Sequence, residues 1–206
     1  FMGLEVSVVV KSNSTFNIFA DKTVRQICMV IILGSSLLGL LESMLPLHLS
    51  TQLASTPSII GFLFMTCTIS YALSAPVAGY FADTLGAIRV ITCGWLIAIV
   101  VLPTLALPDT LLKEAGLMIV LGLAMAALLS PTLQALAVAA DHQKQEYVVV
   151  YAAYNFAFAL GLLIGSLGGG LLVELFNTQM MLKLSSLSLA ILGSFPIRRL
   201  LNNSGS

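Results

Sequence analysis

Six long apolar stretches follow one another along this chain with only short polar breaks, and no other feature limits its fold so strongly. They run over Ile27–Leu49, Ser58–Phe81, Val90–Leu107, Leu112–Ala139, Tyr147–Phe176 and Met180–Ile197. About 20 apolar residues in helical form cross the hydrocarbon core of a bilayer, so each stretch predicts one membrane-spanning helix. The fourth and fifth stretches exceed that requirement and are expected to tilt or protrude. The stretches are continuous rather than alternating, which argues against a β-barrel. The expected fold is therefore an all-α integral membrane protein with six transmembrane helices. Only 9% of the residues are charged and 58% are hydrophobic, whereas a soluble domain carries about 25% charged residues. That balance excludes a soluble globular domain and a disordered chain. A formal net charge of zero leaves no electrostatic footprint for nucleic acid.

The expected organisation is a cytoplasmic linker segment over 1–26, a six-helix transmembrane unit over 27–197 and a cytoplasmic tail over 198–206. Leu4–Val10 is apolar and β-branched but too short to span, and the polar run Lys11–Asn17 reads as a linker. Phe1 is not an initiator residue, and Glu5 stands where a signal peptide carries basic residues. This opening is the one expected of a fragment. Lys and Arg set the orientation. Lys11, Lys22, Arg25, Arg89, Lys144, Arg198 and Arg199 fall on one side, against Lys113 and Lys183 on the other. The bias predicts a multi-pass protein with both ends, the second-to-third connection and the fourth-to-fifth connection in the cytoplasm.

Catalytic and metal chemistry find little support. Cys28, Cys67 and Cys93 lie inside apolar runs without CxxC spacing and are expected as small core residues. His48 is placed near the outer end of the first helix, and His142 in a solvated loop. HExxH and GxSxG are both missing from the sequence, so an intramembrane protease lacks its nucleophile, base or ligands. No enzyme activity, metal or cofactor is expected.

Glu42 is the leading functional candidate. It lies in Leu41-Glu42-Ser43-Met44-Leu45-Pro46, about 6 Å outward of the midpoint of the first stretch at 1.5 Å per residue. A carboxylate at that depth costs at least about 2.5 kcal/mol unless it faces a wet cavity or a partner. No Lys or Arg of the chain lies at matching depth. Such a group is suited to carry a proton, neutral in apolar surroundings and charged when water or a cation arrives. The simpler alternative is a protonated Glu that only hydrogen-bonds a neighbouring helix. Pro46 removes the hydrogen bond to the Glu42 carbonyl and loosens the helix there.

The connection Gly79-Tyr80-Phe81-Ala82-Asp83-Thr84-Leu85-Gly86-Ala87-Ile88-Arg89 is the most specific motif. Its glycines allow a tight turn and close helix approach. Asp83 is placed to meet a helix N-terminus, and Arg89 to pair with an acid at the membrane face. Gly79, Asp83, Gly86 and Arg89 match in kind the signature G-x-x-x-D-x-x-G-x-[RK]-[RK], so the chain resembles the major facilitator superfamily. Thr84 and Ala87 stand where that family usually has basic residues. The resemblance implies the C-terminal six-helix half of a 12-helix fold, working by alternating access with a missing N-terminal six-helix half. Leu41-Glu42-x-x-Leu45-Pro46 is similar to the first helix of that half in vesicular amine transporters, drug:proton antiporters of the superfamily. Val150-Tyr151-Ala152 through Gly161, Gly165 and Gly168-Gly169-Gly170 is similar to their glycine-rich fifth helix of that half. Asn155 stands where those transporters carry a coupling Asp, and an amide does not titrate. The resemblance implies proton-coupled antiport of a small organic or cationic solute, with the lipid bilayer, protons and that solute as partners.

Gly161, Gly165 and Gly169 form overlapping GxxxG steps, which allow another helix to pack closely or to slide. Tyr151, Asn155 and Phe158 share a helical face, and an aromatic–amide face suits an organic cation; a place for Tyr151 in the interfacial belt is the alternative. Gln134, one turn after Pro131, reads as a buried amide in need of a partner or water, suited to lining a cavity. Thr66, Ser70 and Tyr71 are lesser candidates, with Ser70 expected to bond back to its own helix. The competing reading is a self-contained six-span channel or small transporter acting as a homodimer.

Overall fold

The computed structural model describes residues 21–52, 54–105, 107, 110–141, 147–175 and 178–204. They form six helices, α1 (Lys22–Gln52), α2 (Pro57–Leu85), α3 (Ala87–Thr104), α4 (Leu111–Asp141), α5 (Tyr147–Leu175) and α6 (Thr178–Ser204). All six are long and apolar enough to cross a membrane. The helices overrun the apolar stretches because their end signals lie in the polar flanks. Asp21 Oδ1 accepts from the Thr23 and Val24 amides, an N-cap that starts α1 ahead of Ile27. Pro57 occupies the first turn of α2, where its missing N–H costs nothing. α6 continues through Arg198 and Arg199 to Ser204, so helix extends into the segment expected as a tail.

One residue makes the turn between α2 and α3. Gly86 has φ +95°, and its N–H donates to Ala82 O at 3.0 Å. That conformation is strained for any residue with a Cβ, and α3 begins at the next position. Prolines sit inside α1, α2, α3, α4 and α6 (Pro46, Pro76, Pro103, Pro131 and Pro196). Neighbouring helices and Ser or Thr hydroxyls allow such prolines in membrane helices.

α1 and α4 are the buried centre, whereas α2 is mostly exposed. α1 packs most extensively on α5, and α2 on α4. Further contacts join α3 to α4 and α6, and α1 to α6 and α4. Exchanging the first three helices with the last three turns the α1–α5 pair into the α4–α2 pair. The same pairing therefore occurs twice, in two pairs that run in opposite directions, the pattern of an inverted 3+3 repeat. The core holds Ile31, Met44, Leu45, Leu102, Met118, Met125 and Leu128, each nearly or fully buried.

Small residues and hydroxyls join these pairs. A Cβ on Gly161 would meet Ser35 Oγ and Ile32 O; on Gly165, the backbone of Ser36; on Gly169, Ser43 Oγ. All three glycines thus lie against α1. From the opposite side, Ser166 Oγ donates to Gly39 O at 3.3 Å. Between α2 and α4, Ser70 Oγ donates to Ile119 O at 2.8 Å and Ser130 Oγ to Ala75 O at 3.1 Å. Ser70 was expected to bond back to its own helix. It reaches α4 because Gly122, beside it, brings the two backbones together. Trp95 Nε1–H donates to Leu189 O at 3.3 Å, and Ser186 Oγ to Ile99 O at 2.7 Å, joining α3 to α6. In the bilayer, close packing and interhelical hydrogen bonds replace the hydrophobic drive as the source of association.

Cys28 is buried and Cys67 half-buried, but Cys93 is exposed. Cys93 was expected in the core; periodicity alone does not reveal which side of an all-apolar helix faces out. Leu4–Val10, Lys11–Asn17 and His142 lie outside the described residues.

Candidate functional site

At the end of the bundle where most of the basic residues lie, the helix pairing brings α2, α4 and α5 together. The last turns of α2 carry Gly79 and Asp83, the last turns of α4 carry Gln134, and the first turns of α5 carry Tyr147 and Tyr151. Gly79, Asp83, Ser130, Gln134, Tyr147 and Tyr151 line one cavity of about 370 Å³. Gln134 Nε2 donates to Asp83 Oδ1 across the α2–α4 gap. Asp83 and Gln134 also line a second, larger groove of about 700 Å³, where the turn with Gly86 and Arg89 forms the opposite wall. The Asp83–Gln134 pair is therefore shared by both spaces.

This geometry changes several expectations. Gln134 is exposed on its helix rather than buried, because it lies between two open spaces. Asp83 does not meet a helix N-terminus. It lies in the last turn of α2, where the dipole disfavours a carboxylate, and the Gln134 amide supplies its hydrogen bond. The Arg89 side chain makes no ion pair or hydrogen bond among the described residues.

Nearer the middle of the bundle, the Tyr154 and Phe158 rings on α5 stack with centroids 6.1 Å apart and planes 16° from parallel. Tyr71 on α2 is half-buried and, like Tyr154 and Phe158, packs against the hydrophobic core. The sequence reading missed Tyr154, which lies one turn before Phe158 at the edge of the expected face. The signal was available in the i, i+4 aromatic spacing of Tyr154 and Phe158. Asn155 is exposed, and its Nδ2 donates to Tyr151 O at 2.9 Å. Thr66 bonds back to Phe62 O at 2.9 Å.

Glu42 stands apart from these groups. It is exposed on the far half of α1, beside Ser43. His48 is buried one to two turns further on. A second acid had drawn no attention. Glu114 lies in the first turn of α4, yet it is only 1% exposed and its Oε1 has no hydrogen-bond partner among the described residues. Its position near a helix start after Lys113 gives it the sequence signature of an ordinary helix-dipole acid, and no pattern in the sequence separates the two situations. No group of three or more His, Cys, Asp or Glu that could hold a metal occurs among the described residues.

The arrangement can hold a polar or aromatic solute on an exposed helical face, with aromatic rings, amides and a carboxylate as contacts. It contains no nucleophile–base pair among the residues singled out. No curated protein matches the chain. The family model described as Major Facilitator Superfamily matches residues 27–202, nearly the whole helical bundle. Its six membrane-length helices form one half of the fold that this family builds from two. The chain belongs to the Major Facilitator Superfamily, and is a multi-pass membrane transporter.

Proposed function

We propose that the chain is the C-terminal six-helix half of a secondary transporter that exchanges protons for a small organic or cationic solute, similar in type to the vesicular amine transporters. One observation carries this reading. α2, α4 and α5 leave Asp83, Gln134, Tyr151 and Asn155 exposed on membrane-length helices. Polar side chains in such helices face a bundle interior or a water-filled path rather than lipid. A second six-helix half against this face encloses a path at the midplane, as two-half transporters require. The solute contacts in this half are Tyr151, Asn155 and Gln134.

Glu42 is the titratable group of this half in the cycle. A solute cation and a proton compete for its carboxylate, so binding of one releases the other. Rocking of the halves then presents the site to the opposite side. The exchange is linkage between two binding equilibria, without covalent chemistry. Asn155 takes no proton, so further coupling acids belong to the other half. Gly79, Asp83, Gly86 and Arg89 form the gate at the basic end, which lies in the cytoplasm by the positive-inside bias. Gly161, Gly165 and Gly169 form the contact on which α5 and α1 move.

The test uses the full-length protein in proteoliposomes, with uptake of an organic cation driven by a pH gradient. Glu42→Gln is expected to abolish gradient-driven accumulation while retaining solute–solute exchange. Accumulation equal to the unchanged protein contradicts the coupling role.

A further inference from the structure

Glu114 is the one buried carboxyl among the described residues, at 1% exposure, and the transport cycle leaves it without a role. Its place follows from the packing of α4 on α1. A Cβ on Gly34 of α1 would meet the Leu128 and Leu129 side chains, so these two mark the face of α4 turned to α1. Met125, Leu121 and Met118 continue this face, each nearly fully buried, and Glu114 takes the next place. The two helices run in opposite directions. Fourteen residues lead from Gly34 along α1 to His48, and fourteen lead back from Leu128 along α4 to Glu114. Fourteen residues make nearly four turns and about 21 Å. Both side chains therefore return to the facing sides at one depth, at the end of the bundle opposite Arg89. Glu114 Oε1 has no hydrogen-bond partner among the described residues. Of the charged and titratable side chains described at this end, Glu42, Lys113 and Lys183 are exposed, and only His48 is buried. The described parts of α3 and α5 carry none there, and on α2 the nearest is Cys67, against Gly122, two turns deeper.

We propose that Glu114 is a proton-binding site that ties the opening of this end of the bundle to pH. In the packed bundle the carboxyl keeps its proton, because an ionised oxygen there would have neither water nor a donor. Water is close by. A cleft of about 470 Å³ where α3 ends and α4 begins is lined by Thr104, Leu107, Lys113, Gly116 and Leu117, the neighbours of Glu114 along the chain. When α1 and α4 part, water enters, the carboxyl ionises and its proton passes to water. Each opening releases one proton, so a rise in pH favours the open state and a fall favours the closed one. His48 is the other group at that depth able to hold a proton, and the two are separated by substitution. Glu114 binds no solute here; it sets how readily the end opens. The role is distinct from that of Glu42 and needs only a transporter whose two ends open in turn.

The test follows water access at this end in the full-length protein, held in lipid nanodiscs with the native cysteines replaced. Leu121→Cys, two turns inside Glu114 on the same buried face, is labelled by a water-soluble maleimide. Its rate is divided by that of Leu112→Cys, which is exposed at the same end, to cancel the reactivity common to both thiols. The ratio is expected to rise between about pH 5 and pH 8, by no more than about tenfold per pH unit, the limit for one proton. Glu114→Gln is expected to flatten this dependence. So is Glu114→Leu, which asks for no partner and serves where the amide variant does not fold. His48→Gln and Glu42→Gln are each expected to retain it. A ratio independent of pH overturns the proposal, as does a dependence that survives the Glu114 variants or is lost in His48→Gln. Loss in Glu42→Gln assigns the proton to the solute site and also overturns it. The readout needs no transported solute, so failure of the proton-exchange reading leaves these outcomes unchanged.

Discussion

At the scale of single residues, exposure and partnership separate the acids of this protein. Glu42 is an exposed carboxyl on a membrane-length helix, Asp83 is held by an amide, and Glu114 is buried with an oxygen that has no partner among the described residues. Glu42 was legible because nothing but apolar residues precedes it for more than a turn. Glu114 was not legible, because burial at a helix start depends on neighbouring helices. A buried polar atom without a partner costs about 1–3 kcal/mol. Glu114→Leu is therefore expected to stabilise the protein by about 1 kcal/mol, read as a higher melting temperature in detergent; a fall would show that the carboxyl has a partner. Gln134 and Asp83 are expected to behave as a pair. Gln134→Leu and Asp83→Ala each remove the hydrogen bond that joins the C-terminal end of α2 to α4. Their combination should cost less than the sum, with a coupling of about 0.6–1.7 kcal/mol, the range for hydrogen bonds between membrane helices. Strict additivity in the double-mutant cycle would show that the two side chains act independently.

At the scale of helices, the number, type and approximate ends of the six elements were legible from apolar run length. Their pairing was not, because every run is apolar on all sides and no periodicity singles out a contact face. Ser70 illustrates the limit: its hydroxyl serves α4 rather than its own helix, a choice made by the approach of Gly122. Glycine spacing did carry part of the answer, since Gly161, Gly165 and Gly169 all lie against α1. Two glycines three positions apart give a test of that contact. A Cβ on Gly165 would meet the Ser36 backbone, whereas one on Gly168 would meet nothing within 4 Å. Gly165→Leu is expected to cost about 1–3 kcal/mol or more by overpacking, and Gly168→Leu to leave the melting temperature nearly unchanged. Equal losses would mean that α5 does not approach α1 through this face.

At the scale of the whole molecule, the helices repeat their pairing as two inverted triplets, although no internal sequence match is apparent. The repeat resides in which helices touch, and apolar residues of many kinds satisfy the same contact. Asp83, Gln134, Tyr151 and Asn155 are exposed on α2, α4 and α5, and so are the bulky apolar residues Phe62, Leu73, Leu163 and Leu171 of α2 and α5. The exposed polar residues are the basis for assigning the surface around them to a solute path. Asn155 is one of these exposed polar residues. The most direct measurement is labelling of Asn155→Cys in the full-length transporter by a membrane-impermeant maleimide applied from each side. The account predicts labelling from water, at a rate that changes when a transported organic cation is added, because the face opens alternately to the two sides. Absence of labelling from both sides in a folded, active protein would place Asn155 against lipid and contradict it.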